Sequence, residues 1–194
     1  KPKLYYFCRF LMNKVAFNIF FLVSSIMVGQ VKDLVNPEKK IGMDNWAIVN
    51  DDVMGGVSTS NLSLNDQKNL IFNGNLSLAN NGGFASSRMI MSGEDLKGVK
   101  SVKIKFKGDG NTYKLRLSQK NRRVSYSCDF KSKKDAWDEI SIPINDFKPT
   151  WRGYTYKDYP KIDLEKVNSL GLQISDKQEG SFKLEIKYIK ALYQ

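Results

Sequence analysis

The sequence has 194 residues, of which 41% are hydrophobic and 26% charged, a formal net charge of +11 and no histidine. Length and composition of this kind are typical of one globular domain with a sizeable core. Because histidine is absent, a Ser–His–Asp triad, a Cys–His dyad and the common zinc sites are all excluded.

The N-terminal segment has the pattern of an export signal. Lys14 precedes "VAFNIFFLVSSIMVG", fifteen residues without a charge, and polar residues follow. This pattern is typical of a secretory signal, whereas a membrane span needs about 20 apolar residues. We therefore expect residues 1–30 to comprise an upstream extension and a signal peptide that starts at Met12. The alternative is a retained anchor beginning near Leu4, although Arg9 and Lys14 interrupt it.

The predicted signal implies a periplasmic or extracellular protein that meets the membrane only transiently, through that segment. Removing it leaves Cys128 as the one cysteine, so no internal disulfide is expected. Cys128 is in phase with Val124, Tyr126 and Phe130, and we expect it to face the core.

The remaining chain is predicted to be a short linker, residues 31–42, and a single domain, residues 43–194. Period-two alternation indicates strands in "NLIFNGNLSLA", "SVKIKFKG", "TYKLRLSQ", "RRVSYSCDF", "WDEISIPI", "SLGLQISD" and "GSFKLEIKYI". Only "PINDF" and "DLEKV" indicate short helical turns. Many short strands separated by turn residues predict an all-β sandwich or barrel.

The alternation also predicts which side chains are buried: Leu70, Phe72, Leu76, Leu78, Val102, Ile104, Phe106, Tyr113, Leu115 and Leu117. Lysines alternate with apolar residues in "KSVKIKFK", so they are expected on a solvent-exposed face. Since the positive charge is spread thinly and no nucleic-acid motif is present, we expect no nucleic-acid partner. The "GDGN" segment, residues 108–111, predicts a hairpin rather than a phosphate-binding loop, because no helix follows it.

Three stretches depart from plain strand patterns and supply the candidate site. The first is "NDDVMGGVSTS", residues 50–60, and the second is "NNGGFASSRM", residues 80–89. The third is "PTWRGYTYKDYP", residues 149–160, whose aromatic rings are suited to stacking on a ligand or to packing over the end of a sandwich. The predicted ligand-binding residues are Asp51, Asp52, Gly55, Gly56, Ser58, Phe84, Ser86, Arg88, Trp151 and Arg152.

These stretches resemble the complex I intermediate-associated protein 30 family. The resemblance rests on "W-x-I-V-N-D-D-V-M-G-G-V-S" from Trp46, on "G-G-F-A-S-x-R", on "G-D-G", on "F-K-P-T-W-R-G" and on "G-L-Q-I-S-D-K-Q-E-G-S-F", residues 171–182. It implies a galactose-binding-domain-like jelly-roll β-sandwich. Mitochondrial members of the family are assembly chaperones for respiratory complex I and not redox enzymes, whereas bacterial relatives have unknown roles. The charge-free residues 15–29 differ from an Arg-rich transit peptide and are similar instead to an exported bacterial member.

The function expected from these observations is a non-catalytic, exported binding module for a glycan or a protein client. Trp151 offers a flat platform, and the arginines and aspartates offer donors and acceptors for hydroxyl groups. We also expect the three stretches to meet in one surface patch, because a jelly roll brings distant loops together.

Two alternatives use the opening loop differently. In a hydrolase, Asp51 and Asp52 act as acid and base, but adjacent residues in extended backbone point to opposite faces. In the other alternative, Asn50, Asp51 and Asp52 contribute oxygens to a structural calcium, the one cofactor considered. The simpler explanation of the same residues is a turn in which Asp51 accepts hydrogen bonds from nearby amides.

Overall fold

A computed structural model describes residues 30–193. The predicted signal segment and the Met12 start therefore lie outside the described residues. Within residues 30–193, no helix is long and apolar enough to cross a membrane.

The regular secondary structure of the described chain consists of strands and six short 3-10 turns. Its thirteen strands are β1 (Val31–Val35), β2 (Trp46–Ile48), β3 (Thr59–Leu64), β4 (Leu70–Leu76), β5 (Ala85–Ile90), β6 (Ser101–Lys107), β7 (Thr112–Gln119), β8 (Ser125–Lys131), β9 (Trp137–Pro143), β10 (Lys148–Trp151), β11 (Tyr154–Thr155), β12 (Val167–Ile174) and β13 (Gly180–Leu192). The helical turns predicted in "PINDF" and "DLEKV" are confirmed as 3-10 turns at Ile144–Asp146 and Leu164–Lys166.

Two antiparallel sheets face each other and form a jelly-roll β-sandwich, as predicted. The six-stranded sheet has the order β3-β4-β13-β6-β9, and β1 pairs with the far end of β13. The seven-stranded sheet has the order β11-β10-β8-β7-β12-β5-β2. The strand order mixes early and late segments of the chain, so the sheets bring together residues that are distant in sequence.

The core lies between the sheets, where the alternating apolar residues of both meet. Nine of the ten residues predicted to be buried are at most 1% exposed, whereas Leu78 is 36% exposed because it follows the end of β4. Cys128 is partly buried against the core, as its phase predicted. Lysines 103, 105 and 107 alternate with these core residues in β6 and are only partly buried.

The predicted linker is part of the sandwich. β1 pairs with β13 through Val31–Leu192 and neighbouring positions. Leu34 and Val35 are 5% and 0% exposed in the core. The domain therefore begins before residue 43, and the short apolar segment was missed because it occupies only one strand's length.

The predicted "GDGN" hairpin is wrong. β6 lies in the six-stranded sheet and β7 in the seven-stranded sheet, so the segment crosses between sheets instead of joining neighbouring strands. Asp109 fixes this crossing, because its Oδ2 accepts hydrogen bonds from the Tyr113 hydroxyl (2.9 Å) and the Lys183 amide (2.7 Å). The sequence correctly marked a turn between β6 and β7, but long-range pairing places these two strands in different sheets.

Candidate functional site

Asp51 is the centre of the opening loop and is fully buried. It begins a 3-10 turn, Asp51–Met54. Its Oδ1 accepts a hydrogen bond from the Ser58 amide (2.9 Å), and its Oδ2 accepts hydrogen bonds from the Ser58 hydroxyl (2.5 Å) and the Gly83 amide (2.6 Å). The Phe84 amide also donates to Oδ2, at 3.3 Å. Asp51 therefore ties the opening loop to the second of the unusual stretches.

The electrostatics of Asp51 match this structural role. Burial raises the pKa of its carboxyl, but the hydrogen bonds from Ser58, Gly83 and Phe84 outweigh burial, so the pKa lies below its usual value. Asp52 is exposed and separate from this network. The two carboxylates therefore do not share a cleft in which one is an acid and the other a base.

The calcium hypothesis finds little support in the arrangement of the loop. Both Asp51 oxygens face N–H and O–H donors, and Asn50 Oδ1 accepts hydrogen bonds from the Ser60 hydroxyl (2.7 Å) and the Ser86 amide (3.2 Å). Among residues 30–193, no three acidic, cysteine or histidine side chains lie close enough to hold a metal ion. The hydrogen-bonded turn accounts for these oxygens, and calcium stays an untested prediction.

Gly55 and Gly56 serve the loop in different ways. Gly55 ends the 3-10 turn with φ +89° in the left-handed region, which favours glycine. At Gly56, a Cβ atom would lie 2.4 Å from Asp51 Cγ. Glycine is therefore needed at one position for its backbone and at the other for the space that the buried carboxylate occupies.

Two of the residues predicted in the second stretch, Ser86 and Arg88, lie on one face of β5. Ser86 is buried and its hydroxyl donates to the Val49 carbonyl. Arg88 is exposed, and among the described residues it has no salt bridge or side-chain hydrogen bond. Phe84 precedes the strand and is partly buried.

The third stretch forms a tight hairpin. Trp151 pairs with Tyr154 across the two residues Arg152 and Gly153, which have φ values of 50° and 79°, as a type I′ turn requires. The Arg152 guanidinium lies over the Trp151 ring, 5.0 Å from its centroid.

The tyrosines that follow this hairpin pack on one another. The ring centroids are 4.9 Å apart for Tyr154–Tyr156, 5.7 Å for Tyr156–Tyr159 and 6.3 Å for Tyr126–Tyr159. Tyr126 belongs to the core, so this aromatic series fixes the loop to the sandwich. The packing of rings over the sandwich, one of the two explanations of this stretch, accounts for these tyrosines.

The expectation that the three stretches meet in one patch is wrong. Asp51 bonds to the segment just before β5, next to Ala85. Trp151 follows Thr150. Successive strand pairings place Thr150 level with Ile90, which is at the other end of β5. The spacings of strands and residues place Asp51 and Trp151 about 20 Å apart along the strands and about 19 Å across them. The sequence could not show this, because it depends on strand order.

A surface that the sequence analysis missed crosses the middle of the seven-stranded sheet. The outer face is defined here as the strand positions of that sheet that point away from the six-stranded sheet. On this face the strand register aligns a central row of six residues, one from each of β2, β5, β12, β7, β8 and β10 in their order across the sheet. The residues are Ala47, Arg88, Gly171, Arg116, Ser127 and Lys148. The row is about 24 Å long, from the usual spacing between strands.

Arg116 lies near the middle of this row, and hydrogen bonds hold its side chain in place. Its guanidinium donates hydrogen bonds to Gln173 Oε1 and to the Ser125 hydroxyl. Burial, and then the positive charge of Arg88, lower the pKa of Arg116 to about 10. The alternation in "TYKLRLSQ" could have predicted the position of Arg116 on the outer face, because it places Arg116 on the side of the strand opposite the buried Leu115 and Leu117.

The outer-face carboxylate nearest to the arginines is already paired. This carboxylate is Asp129. The Lys114 ammonium group, at the outer-face position next to Arg116 on β7, contacts Asp129 at 2.8 Å and Asp176 at 2.7 Å. Among the described residues, neither Arg88 nor Arg116 forms a salt bridge. The centre of the outer face is therefore a polar, positively charged surface.

The fold and this surface define the chain as a jelly-roll β-sandwich with a polar outer sheet face. The model of the complex I intermediate-associated protein 30 family matches residues 35–186, and the chain belongs to that family. This confirms the resemblance on which the fold was predicted.

Relatives of known name are distant in sequence. A probable complex I intermediate-associated protein 30, mitochondrial, from Caenorhabditis briggsae is 28% identical in an alignment 173 residues long that covers 76% of this chain and 50% of the relative. The complex I intermediate-associated protein 30, mitochondrial, of Mus musculus is 25% identical in an alignment 191 residues long that covers 86% of this chain and 58% of the relative. The chain therefore spans about half the length of the curated relatives that it matches.

Solved structures of the same fold include carbohydrate-binding modules. The family 11 module of a cellulosomal cellulase of Clostridium thermocellum has a TM-score of 0.65 at 16% identity, covering 84% of this chain and 94% of the module. An agarase has a TM-score of 0.57 at 9% identity and covers 83% of this chain, but the match includes only 24% of the agarase. Identities this low show the fold alone.

Proposed function

We propose that this domain is a non-catalytic binding module that recognises a glycan on the outer face of its seven-stranded sheet. The observation that carries the proposal is the central row, in which four of the six residues, Arg88, Arg116, Ser127 and Lys148, align charged or polar side chains across the sheet. Hydroxyl, amide and guanidinium groups are suited to hydrogen bonding with sugar hydroxyls. Because Arg116 and Ser127 are already held by hydrogen bonds, little of their side-chain entropy is lost on binding.

The fold comparison supports a glycan ligand. A second structure of the family 11 module, with a TM-score of 0.60, is in complex with a β-1,3-1,4-mixed-linked tetrasaccharide. That module and this chain share the sandwich over most of their lengths, although they are only 16% identical.

A protein client is the second candidate, and the names of the relatives favour it. The relatives in Caenorhabditis and Mus musculus are named as associated with complex I intermediates, which are protein assemblies. A protein client would use the same outer face, because polar sheet faces also form interfaces. A role of this chain in the assembly of complex I is therefore proposed second, after glycan binding.

The hydrolase alternative is disfavoured by the opening loop. Asp51 is fully buried and its oxygens accept hydrogen bonds from the protein, whereas Asp52 is exposed. Although an agarase shares the fold, its match covers only 24% of the enzyme. We expect no multiple-turnover hydrolysis of polysaccharides or esters. Turnover abolished by Asp51→Asn or Asp52→Asn would contradict the non-catalytic proposal.

Export remains part of the proposal. It rests on Lys14 and the charge-free run that follows it. Mass spectrometry of the protein isolated from its host should show the loss of roughly the first 30 residues. An intact chain in the cytoplasm would exclude export.

Retention of the full chain on immobilised polysaccharides tests the glycan proposal. A neutral mixed-linkage glucan, a neutral galactan, a polyuronate and a sulfated glucan form the panel, and we expect retention by at least one. Gly171→Leu places a bulky apolar group at the centre of the outer face and should abolish retention, whereas Lys183→Ala, in the six-stranded sheet, should not. Retention by none of the four would refute glycan binding, and unchanged retention of Gly171→Leu would refute the site.

A further inference from the structure

Two arginines flank a glycine at the centre of the outer face. Arg88 on β5 and Arg116 on β7 are both in register with Gly171 on the strand between them. Their Cα atoms are therefore about 10 Å apart, two strand spacings. Side chains as long as arginine can cover this distance, and the positive charge of Arg88 contributes to the lowered pKa of Arg116, so the two guanidinium groups are close enough to interact.

No carboxylate of the described residues neutralises this pair. The nearest acidic residue on the outer face, Asp129, is held with Asp176 by Lys114. Arg116 instead donates to the neutral Gln173 and Ser125, and Arg88 has no side-chain partner among residues 30–193. Two like charges on strands separated only by β12 repel each other, so the arrangement is stabilised by any anion placed between them.

Gly171 allows the two arginines to approach each other across β12. It lies within the regular strand β12, and its backbone is not in the left-handed region that favours glycine. A Cβ there would lie 3.0 Å from the Ser87 carbonyl oxygen, 3.5 Å from Arg88 Cγ and 3.8 Å from Arg116 Cβ. Gly171 is buried, and glycine lets the stems of both arginines lie against the strand between them.

We propose that the outer face binds an anionic saccharide, with a carboxylate or sulfate group held between Arg88 and Arg116 above Gly171. Guanidinium groups bind carboxylate and sulfate oxygens through two parallel hydrogen bonds, which lysine cannot do. This inference rests on the proposed glycan-binding function and specifies the chemical class of the glycan.

The surroundings of the arginine pair favour a saccharide over other polyanions. The outer-face positions nearest to the pair on β7, β8 and β12 carry small hydroxyl and amide side chains: Ser118, Ser169 and Gln173 are partly exposed, whereas Ser125 and Ser127 are buried. Hydroxyl and amide groups match the hydroxyls of sugar rings. A single-stranded nucleic acid requires aromatic platforms for its bases, and the β5, β7, β8 and β12 positions of the outer face hold none.

Calorimetric titration of the full chain with matched polymers tests the charge requirement. Dextran sulfate is compared with unsulfated dextran, and polygalacturonate with neutral galactan, so each pair differs chiefly in its anionic groups. We expect at least one anionic polymer to bind at least tenfold more tightly than its neutral partner. Equal or tighter binding of the neutral polymers would overturn the anionic class but leave the glycan-binding function intact.

Single substitutions test the position of the site. Arg88→Ala should weaken binding of the preferred anionic polymer at least tenfold, and Arg88→Lys should restore only part of it. Lys183→Ala removes the same charge from an exposed position of the six-stranded sheet and should change the affinity less than twofold. Equal losses in the two Ala variants would mean that net charge alone attracts the polymer, which would overturn the proposal.

Two controls complete the test. The unfolding midpoint of Arg88→Ala should match that of the unaltered protein, because the side chain is exposed and without protein partners. Polyglutamate carries the same carboxylate groups on a polypeptide. If it bound as tightly as polygalacturonate and with the same dependence on Arg88, the surface would be assigned to an acidic polypeptide and the saccharide proposal would fail.

Discussion

Asp51 Oδ2 and the Gly83 amide are joined by a hydrogen bond of 2.6 Å, although 32 residues separate them in sequence. The bond closes the opening loop onto the segment that leads into β5, and Ser58 completes the contact from the other side at 2.5 Å. Because β5 carries Arg88, this buried carboxylate supports one of the strands on which the proposed site depends. Asp51, which looks like a catalytic or metal-binding residue in the sequence, therefore stabilises the fold.

Asp51→Asn should destabilise the domain by about 2 kcal/mol or more, because an amide NH₂ would face buried N–H donors and leave them unsatisfied. Asp52→Asn is the matched control. Its side chain is exposed, so a change of at most about 0.5 kcal/mol is expected. Urea unfolding of the two variants measures both free energies. Equal, small effects would show that Asp51 does not support the fold.

The contribution of Asp51 should depend on pH. Its pKa in the folded protein lies below its ordinary value of 3.8, so its stabilising effect is complete above the unfolded-state pKa. This effect is lost as pH falls through the folded-state pKa. The difference in unfolding free energy between the unaltered protein and Asp51→Asn should therefore be constant from about pH 7 to 5 and shrink below about pH 4. A difference that does not change down to about pH 2 would contradict the assigned pKa direction.

Gly55 and Gly56 should respond differently to alanine. Gly55→Ala meets no atom within 4 Å but has φ +89°, so it should cost about 1 kcal/mol of backbone strain. Gly56→Ala would place a methyl group 2.4 Å from Asp51 Cγ, and displacement of that buried side chain should cost about 2–3 kcal/mol. Thermal or urea unfolding ranks the two variants. The reverse order would mean that the loop relaxes around Asp51 without loss.

The strands were predictable because each has a local signal. Alternation along β6 and β7 predicted the buried Val102, Ile104, Tyr113 and Leu115, all of which are 0% exposed. Alternation is a property of a few successive residues and needs no knowledge of partners. Family resemblance then supplied the sandwich as a whole.

The site was less predictable because it depends on strand order. Arg88 and Arg116 look unrelated in the sequence, yet both pair with Gly171 and so lie on its two sides in one row. Asp51 and Trp151 look alike as unusual loop residues but lie at opposite ends of the sheet. Pairings between segments up to about 100 residues apart decide both outcomes, and no local pattern encodes them.

Trp151 is the last residue of β10, and its assignment as a ligand contact stays a prediction. Strand alternation puts it on the side of β10 opposite Thr150, whose position is on the outer face. We therefore expect Trp151→Ala to change the affinity for the preferred polysaccharide by less than threefold. Loss of the partly buried ring should instead lower the unfolding free energy by about 1–2 kcal/mol.

Tyr154→Ala is the control for this test, since Tyr154 pairs with Trp151 across the hairpin but is 63% exposed. It should lower the unfolding free energy by less than about 0.5 kcal/mol. Calorimetric titration and urea unfolding of both variants separate the two roles of Trp151. A tenfold loss of affinity in Trp151→Ala, with an unchanged unfolding midpoint, would establish the ring as a stacking platform and extend the binding surface to the end of β10.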